Sequence, residues 1–242
     1  MNRRSWTILA SLGVLCVAST AAKDRKTPEL APHLGAIGVT IQSKGPLAIS
    51  AKPHADTAFF VKTDLGEDPF HAPEVLASSF SDKNQVYLLN ATPGKYVIIG
   101  AYTPGFIGAG KSMNDMPSTM IYFDKSTIQA TETTVEEGKI SFAGTIIVKV
   151  SADMKDADEA QSHYGHLLGT GTGWNVGVHA SGPPSHISTT ADIGHLTRAG
   201  TLQSLDKNPD TERKFWTLAA EKVFKDAPDW QDLVRRRLAS AP

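Results

Sequence analysis

Histidines are concentrated in one part of this 242-residue chain, and their spacing suggests metal binding. His163 and His166 are three positions apart, which places two imidazoles on one face of a helix. Asp158 or Glu159 could add a carboxylate oxygen, but a zinc site normally needs three or four protein ligands. The segment that follows carries three further histidines: His179, His186 and His195. His163 and His166 are therefore candidate metal ligands, with two surface histidines as the alternative.

A second segment matches the phosphate-binding P-loop by its letters. Gly105, Gly110, Lys111 and Ser112 fall at the required positions, after a predicted strand. A P-loop opens directly into a helix, however, and Pro117 lies where the interior of that helix would be. A proline there costs about 3 kcal/mol. We therefore predict a flexible loop between two strands and no bound nucleotide.

Three methionines around the same proline raise the question of copper. Met113, Met116 and Met120 lie within eight positions, and thioether sulfur is a ligand for Cu(I). Pro117 interrupts any common helical face. Methionine also packs as an adaptable apolar residue, which is the interpretation we favour.

The residue patterns of a catalytic site are incomplete. Ser181 lies in a His-Ala-Ser-Gly segment that lacks the first glycine of a nucleophile elbow. Glu136 and Glu137 are adjacent, so on a strand their carboxylates would point to opposite faces. We predict no catalytic residue and no cofactor. A second alternative function is that of an enzyme, by default a hydrolase, whose active site these residue patterns do not reveal.

The elements that would position these residues are mainly strands. Short apolar or alternating runs separated by turns, without helices between them, predict an antiparallel β-sandwich over residues 36–150. Residues 86–89 and 96–99 flank a Pro-Gly turn and are expected to form a hairpin. Six positions of the clearest strand are expected to share one face: Ile140, Phe142, Gly144, Ile146, Val148 and Val150.

Helical patterns are confined to the later part of the chain. Residues 151–208 are expected to form a helix, at about 156–168, followed by a Gly/Ser/His-rich loop that packs on the sandwich. The loop is expected to continue to about residue 205. Residues 209–242 carry two amphipathic patterns, at 211–224 and 230–238, and predict C-terminal helices.

The amino terminus has the order of a secretory signal. Arg3 and Arg4 precede an apolar run over residues 6–18, and small residues follow it. We predict that residues 1–22 are a signal peptide and residues 23–35 a tether. Cys16 is the only cysteine and lies inside the signal. Its lipidation, which would attach the protein to a membrane, is the alternative to cleavage near Ala22.

Charge excludes one class of partner. The formal net charge is −1, and it becomes about −3 when the two arginines of the signal are subtracted. Nucleic-acid binding rests on neutralising phosphates with a basic surface, so we predict no nucleic-acid partner.

Two segments resemble a group of exported proteins. Pro93-Gly94-Lys95-Tyr96 and the Gly-Lys-aromatic-Gly run at 138–144 are similar to turns and strands of uncharacterised exported β-sandwich proteins of Gram-negative bacteria. These proteins are often lipoproteins, and their sandwich is similar to the prealbumin-like module. The resemblance implies a periplasmic or cell-envelope protein that works by binding or structural contact with an envelope partner. A metal- or ligand-binding protein that uses residues 163–195 is the first alternative.

Overall fold

The computed structural model of this chain describes residues 27–45, 54–63, 69–71, 74–103, 119–168 and 196–240. The described strands are β1 (Gly35–Lys44), β2 (Thr57–Thr63), β3 (Leu76–Ala77), β4 (Phe80–Asp82), β5 (Gln85–Ala91), β6 (Gly94–Thr103), β7 (Thr119–Phe123), β8 (Thr133–Val135), β9 (Ile140–Ser151) and β10 (Leu196–Asp206). The described α-helices are α1 (Lys125–Ala130), α2 (Asp158–Leu168), α3 (Pro209–Leu218) and α4 (Pro228–Ser240). The expectation of a mainly β protein with C-terminal helices is confirmed.

The described strands form one curled mixed sheet, a half-barrel. Its order is β3-β2-β6-β7-β10-β9-β1-β5-β4, and β8 pairs with β6 outside this path. Two neighbouring pairs are parallel, β1 with β9 and β7 with β10. The expected antiparallel sandwich is therefore not confirmed. The expectation assumed that no helix lies between the strands. Helices α1 and α2 do lie between strands, and long connections of this kind permit parallel pairing.

The strands at the two ends of the sheet, β3 and β4, are consecutive in the chain. β3 pairs with β2 and, after two intervening residues, β4 pairs with β5. Ser78 N donates to Ala58 O, and Ser79 N donates to Tyr87 O. The Ser79 hydroxyl also accepts a hydrogen bond from Leu89 N at 2.8 Å. The two end strands are therefore short and are joined by two residues. This limits the exposed backbone edge that could pair with another chain.

β9 changes the face to which its side chains point. Gly38 pairs with Phe142 while its neighbour Val39 pairs with Gly144, so Ala143 is an extra residue in β9. Gly144 has φ +110°, a conformation that favours glycine. Ile140 and Phe142 consequently face the C-terminal helices, whereas Ile146, Val148 and Val150 face the other core. The expectation that all six positions share one face is wrong, because this bulge reverses the alternation.

The expected hairpin between β5 and β6 does not form. β5 pairs with β1 and β4, and β6 pairs with β2, β7 and β8. The turn between the strands bends at Asn90, whose φ is +58°. The Tyr96 hydroxyl donates to Thr92 O at 2.8 Å, and Lys95 pairs with Glu132 at 2.8 Å. The Pro-Gly-Lys-Tyr run therefore marks a connection between two parts of the sheet.

β10 is the largest element that the sequence analysis missed. Residues 196–206 were expected to belong almost entirely to a loop, yet they form a strand between β7 and β9. The segment combines Leu202 and Leu205 with glycine, threonine and serine, a composition that resembles the loop before it. Its position as a strand depends on pairing with β7 and β9, which are distant in sequence.

Two apolar clusters form the core. The larger one lies within the curled sheet and includes residues of α1 and α2. The smaller one lies between the sheet and the C-terminal helices and is rich in aromatic residues: Phe80, Tyr87, Phe142, Phe215, Trp216, Phe224 and Trp230. A Cβ on Gly38 of β1 would stand 2.7 Å from the Phe215 ring, so this glycine lets α3 approach the sheet.

The predicted C-terminal helices are confirmed, with one irregularity. The Asn208 side chain accepts from Thr211 N and caps α3, which ends in a π-helical turn over Ala219–Val223. The turn allows both Val223 and Phe224 to be buried in the aromatic cluster. Within the part of the chain that the structure describes, no helix has the length and apolar content that spanning a membrane requires.

Candidate functional site

His163, the first predicted metal ligand, lies on α2 against aromatic rings. Its ring meets Phe70 and Tyr164 edge to face, with centroids 6.3 and 4.8 Å away. Its Nε2 atom is buried and has no hydrogen-bond partner among the residues that the structure describes. His166 is also on α2, but its side chain is outside the described residues. The surroundings of the side chain are therefore described for His163 and not for His166.

The contacts around His163 join three separate segments of the chain. The Tyr164 hydroxyl donates to Pro69 O at 2.5 Å, which fixes α2 to the turn that carries Phe70. Lys125 Nζ lies 5.2 Å from the centre of the Phe70 ring and 3.6 Å from a Glu159 carboxylate oxygen. A cation above an aromatic face is attracted by the ring quadrupole. These contacts stabilise the packing of α2 beside α1.

The described residues do not assemble a metal site at this place. Nowhere in the described ranges do three or more His, Cys, Asp or Glu side chains come close enough together to hold a metal ion. The other predicted ligands, His179, His186 and His195, lie outside the described residues. The prediction of metal binding at His163 and His166 therefore stays a prediction.

Most of the other chemical motifs also lie outside the described residues. These are the P-loop-like segment at 105–112, Met113, Met116 and Ser181. Met120 is described and is 3% exposed within β7, where it packs in the larger core. Glu136 forms an ion pair with Lys139, and Glu137 forms one with His33 at 2.5 Å. The two adjacent glutamates therefore have different partners.

The amino-terminal end of the described chain is clamped onto the C-terminal helices. Trp230 Nε1 donates to Pro28 O at 2.6 Å. Asn90 makes two hydrogen bonds, donating to Glu29 O at 2.8 Å and accepting from Ala31 N at 2.9 Å. Leu30 packs against the aromatic cluster. We call residues 28–31 the strap. It lies within the predicted tether, so the folded body begins earlier than that boundary implies.

A buried polar chain connects the sheet with α3. The Tyr87 hydroxyl donates to Gln85 Oε1 at 2.5 Å, and Gln85 Nε2 donates to the carbonyl of Phe215 at 2.9 Å. Burial, together with the nearby charge of Asp82, raises the pKa of Tyr87 well above its ordinary value. The phenol is therefore neutral at physiological pH and serves as a hydrogen-bond donor in the core.

A charged contact connects α3 with α4. Glu212, whose side chain is 13% exposed, accepts from Trp216 Nε1 at 2.9 Å and from Arg237 Nε at 2.8 Å. Arg237 also brings Nη2 within 2.6 Å of the same oxygen. The sequence analysis missed this network and the strap, because their members are far apart in sequence. The one available signal was Asn90 before a Pro-Gly turn, since asparagine tolerates positive φ.

Comparison of this chain with family models, curated proteins and solved structures found no match.

Proposed function

We propose that this protein is exported to the periplasm or cell envelope of a Gram-negative bacterium and acts there through binding or structural contact. The observation that carries the proposal is the order of the first 26 residues: two arginines, an apolar run, small residues and then charges. The apolar run is shorter than the roughly 20 residues of a spanning helix, which favours a cleaved signal. The proposal includes no catalytic step.

The position of the strap is consistent with cleavage near Ala22. Pro28 is the first residue with a described contact to the folded body, through its carbonyl and Trp230. Five residues, 23–27, lie between Ala22 and Pro28, so removing residues 1–22 would leave every strap contact in place. The charged residues 23–26 would then stand between the new amino terminus and the body.

The relationship to exported β-sandwich proteins is part of the same proposal. It is supported by the bond from the Tyr96 hydroxyl to the backbone of Thr92, because sandwich domains use a similar tyrosine corner. The parallel pairs β1–β9 and β7–β10 count against a purely antiparallel sandwich. We therefore propose a similar role in the envelope, and the mixed sheet sets this chain apart from that architecture.

Export is tested by disrupting the apolar run in cells. The double variant Leu12→Arg, Val14→Arg places two charges in the run, and Leu12→Val, Val14→Leu is the matched control. We expect the charged variant to stay in the cytoplasm, and the control to reach the periplasm with the wild-type mature mass. Equal distribution of both variants between the fractions would contradict the proposal.

A metal- or ligand-binding role at His163 is the second candidate, and one observation favours it. In the described part of the chain the buried Nε2 of His163 finds no hydrogen-bond partner, and such an atom is normally satisfied in proteins. Metal analysis of the protein purified from the envelope tests this role. Stoichiometric metal in the wild type that is lost in His163→Ala, and kept in the control His33→Ala, would favour metal binding over the leading proposal. A metal-free wild type would reject metal binding at His163.

A further inference from the structure

One surface of the sheet is left open by the C-terminal helices. These helices cover the amino-terminal part of β1 and β9, where Phe215 and Trp216 pack against Gly38. Beyond that point the same face of β1 continues through Thr40, Gln42 and Lys44, which are partly or fully exposed. The backbone pairing extends this surface across the neighbouring strands. The open part of the face is therefore three strands wide.

The pairing of β1, β9 and β10 arranges the open surface in three rows of register partners. The rows are Lys44–Lys149–Thr201, Gln42–Ile147–Ser204 and Thr40–Thr145–Asp206. Neighbouring strands lie about 4.8 Å apart, and successive rows on one face about 6.7 Å apart. We call these nine positions the lysine face. All nine side chains are partly or fully exposed.

The two lysines occupy directly opposite positions, and no acidic side chain of the described residues pairs with either of them. Lys44 and Lys149 are register partners in a parallel pair, so both side chains are on the same face of the sheet. Within the described ranges, neither ammonium group forms a hydrogen bond or ion pair. The acid of the third row, Asp206, is already bonded to Asn208 and Thr211. Like charges directly opposite each other destabilise a sheet, so folding alone does not account for this pair.

We propose that the lysine face binds an acidic polysaccharide, with Lys44 and Lys149 as the contacts to its carboxylates or phosphates. Charge complementarity favours an anionic partner, because two adjacent cations without counter-ions are positioned to share one. The hydroxyls of Thr40 and Thr145 provide donors and acceptors that suit a hydroxyl-rich chain, and the Thr201 hydroxyl, which donates to Lys149 O at 3.5 Å, can still accept. This inference rests on the proposed envelope function and assigns the chemistry of the partner.

Binding to polygalacturonate, a carboxylated glycan, tests the proposal. Titration calorimetry of the full mature protein would compare it with neutral dextran and with poly-glutamate, at two salt concentrations. We expect polygalacturonate to bind, more weakly at higher salt, and dextran not to bind. The absence of polygalacturonate binding, or tighter binding of poly-glutamate, would overturn the proposal in favour of no anionic partner or an acidic protein.

Variants at the two lysines locate the binding. Lys44→Gln, Lys149→Gln is expected to weaken binding at least tenfold, and Lys44→Arg, Lys149→Arg to retain it. Lys155→Gln, Lys222→Gln removes the same charge from two exposed lysines elsewhere and is expected to change affinity less than twofold. Equal loss in both glutamine variants would overturn the proposal.

A fold control and an export control complete the test. The melting temperature of Lys44→Gln, Lys149→Gln is expected to equal or exceed that of the wild type, since a repulsive pair is removed. If it falls and the arginine variant also loses binding, the lysines support the fold and the proposal is wrong. Failure of binding in a protein that is still exported would reject this inference and leave the proposed envelope location intact.

Discussion

Asn90 is the residue through which the strap is attached to the sheet. It combines a positive φ of +58° with two hydrogen bonds to the backbone of residues 29 and 31. Both bonds join segments about sixty positions apart, so the side chain links the amino-terminal end of the described chain with β5, the strand next to one end of the sheet. An asparagine suits this position because its amide can donate and accept at once.

Replacing Asn90 with alanine is expected to destabilise the protein by about 1 to 3 kcal/mol, because two backbone groups of the strap lose their partner. Asn90→Gly removes the same bonds but relieves the left-handed conformation, so its loss is expected to be smaller. Urea unfolding of both variants measures the difference. A loss below about 0.5 kcal/mol in Asn90→Ala would show that the strap is not held by this side chain.

His54 connects the protein's stability with pH. It forms a β-bridge to Gln42 near the end of β1, and its buried Nδ1 atom has no hydrogen bond to any described residue. Burial lowers the pKa of His54 below 6.5. The unfolded chain therefore binds this proton more readily than the folded one. Its contribution to stability is complete above pH 6.5 and is lost as the pH falls through 6.5 to the lower pKa of the folded state.

We expect His54→Gln to reduce the loss of stability between pH 7.5 and pH 5, because glutamine does not titrate there. Urea unfolding at several pH values, for the variant and the wild type, measures the two slopes. Identical slopes would contradict the assignment of this loss to His54.

At the scale of elements, the β9 bulge decides which core each half of the strand enters. Gly144 has φ +110°, and a Cβ there would stand 2.6 Å from Leu205 Cδ1 and 3.1 Å from Asp206 O. Gly144→Ala is therefore expected to cost about 2 to 4 kcal/mol, since strain and a close contact add.

Gly138→Ala is the matched control for this bulge, because Gly138 also has positive φ (+64°) but its Cβ would meet no atom within 4 Å. Its cost is expected to be about 1 kcal/mol. Thermal or urea unfolding would measure both variants. Equal losses would indicate that the bulge does not depend on Gly144.

Local patterns predicted the elements better than their pairing. Alternation identified β1 and β9, acidic residues at its start indicated α2, and amphipathic spacing identified α3 and α4, because each signal depends on neighbouring residues. The bulge at Ala143, the separation of β5 from β6 and the strand β10 all depend on partners distant in sequence. The same limit applies to the sites. His163 was found from its type and spacing, whereas the Glu212–Arg237 pair and the Lys44–Lys149 pair arise only after folding.

At the scale of the whole molecule, the two ends of the described chain meet on one side of the sheet. The strap contacts Trp230 of α4, and α4 closes over the aromatic cluster together with α3. The helical layer covers one part of the sheet and leaves the lysine face open.

The most direct test of the proposed export is the intact mass of the protein extracted from the envelope of the bacterium that makes it. We predict a chain that begins at Lys23 and carries no added group, found in the periplasmic fraction. Its strap residues, from Pro28 onward, would all be present. A chain that retains residues 1–22 in the cytoplasm would contradict the account, and acyl groups on Cys16 would replace cleavage near Ala22 with a lipid anchor.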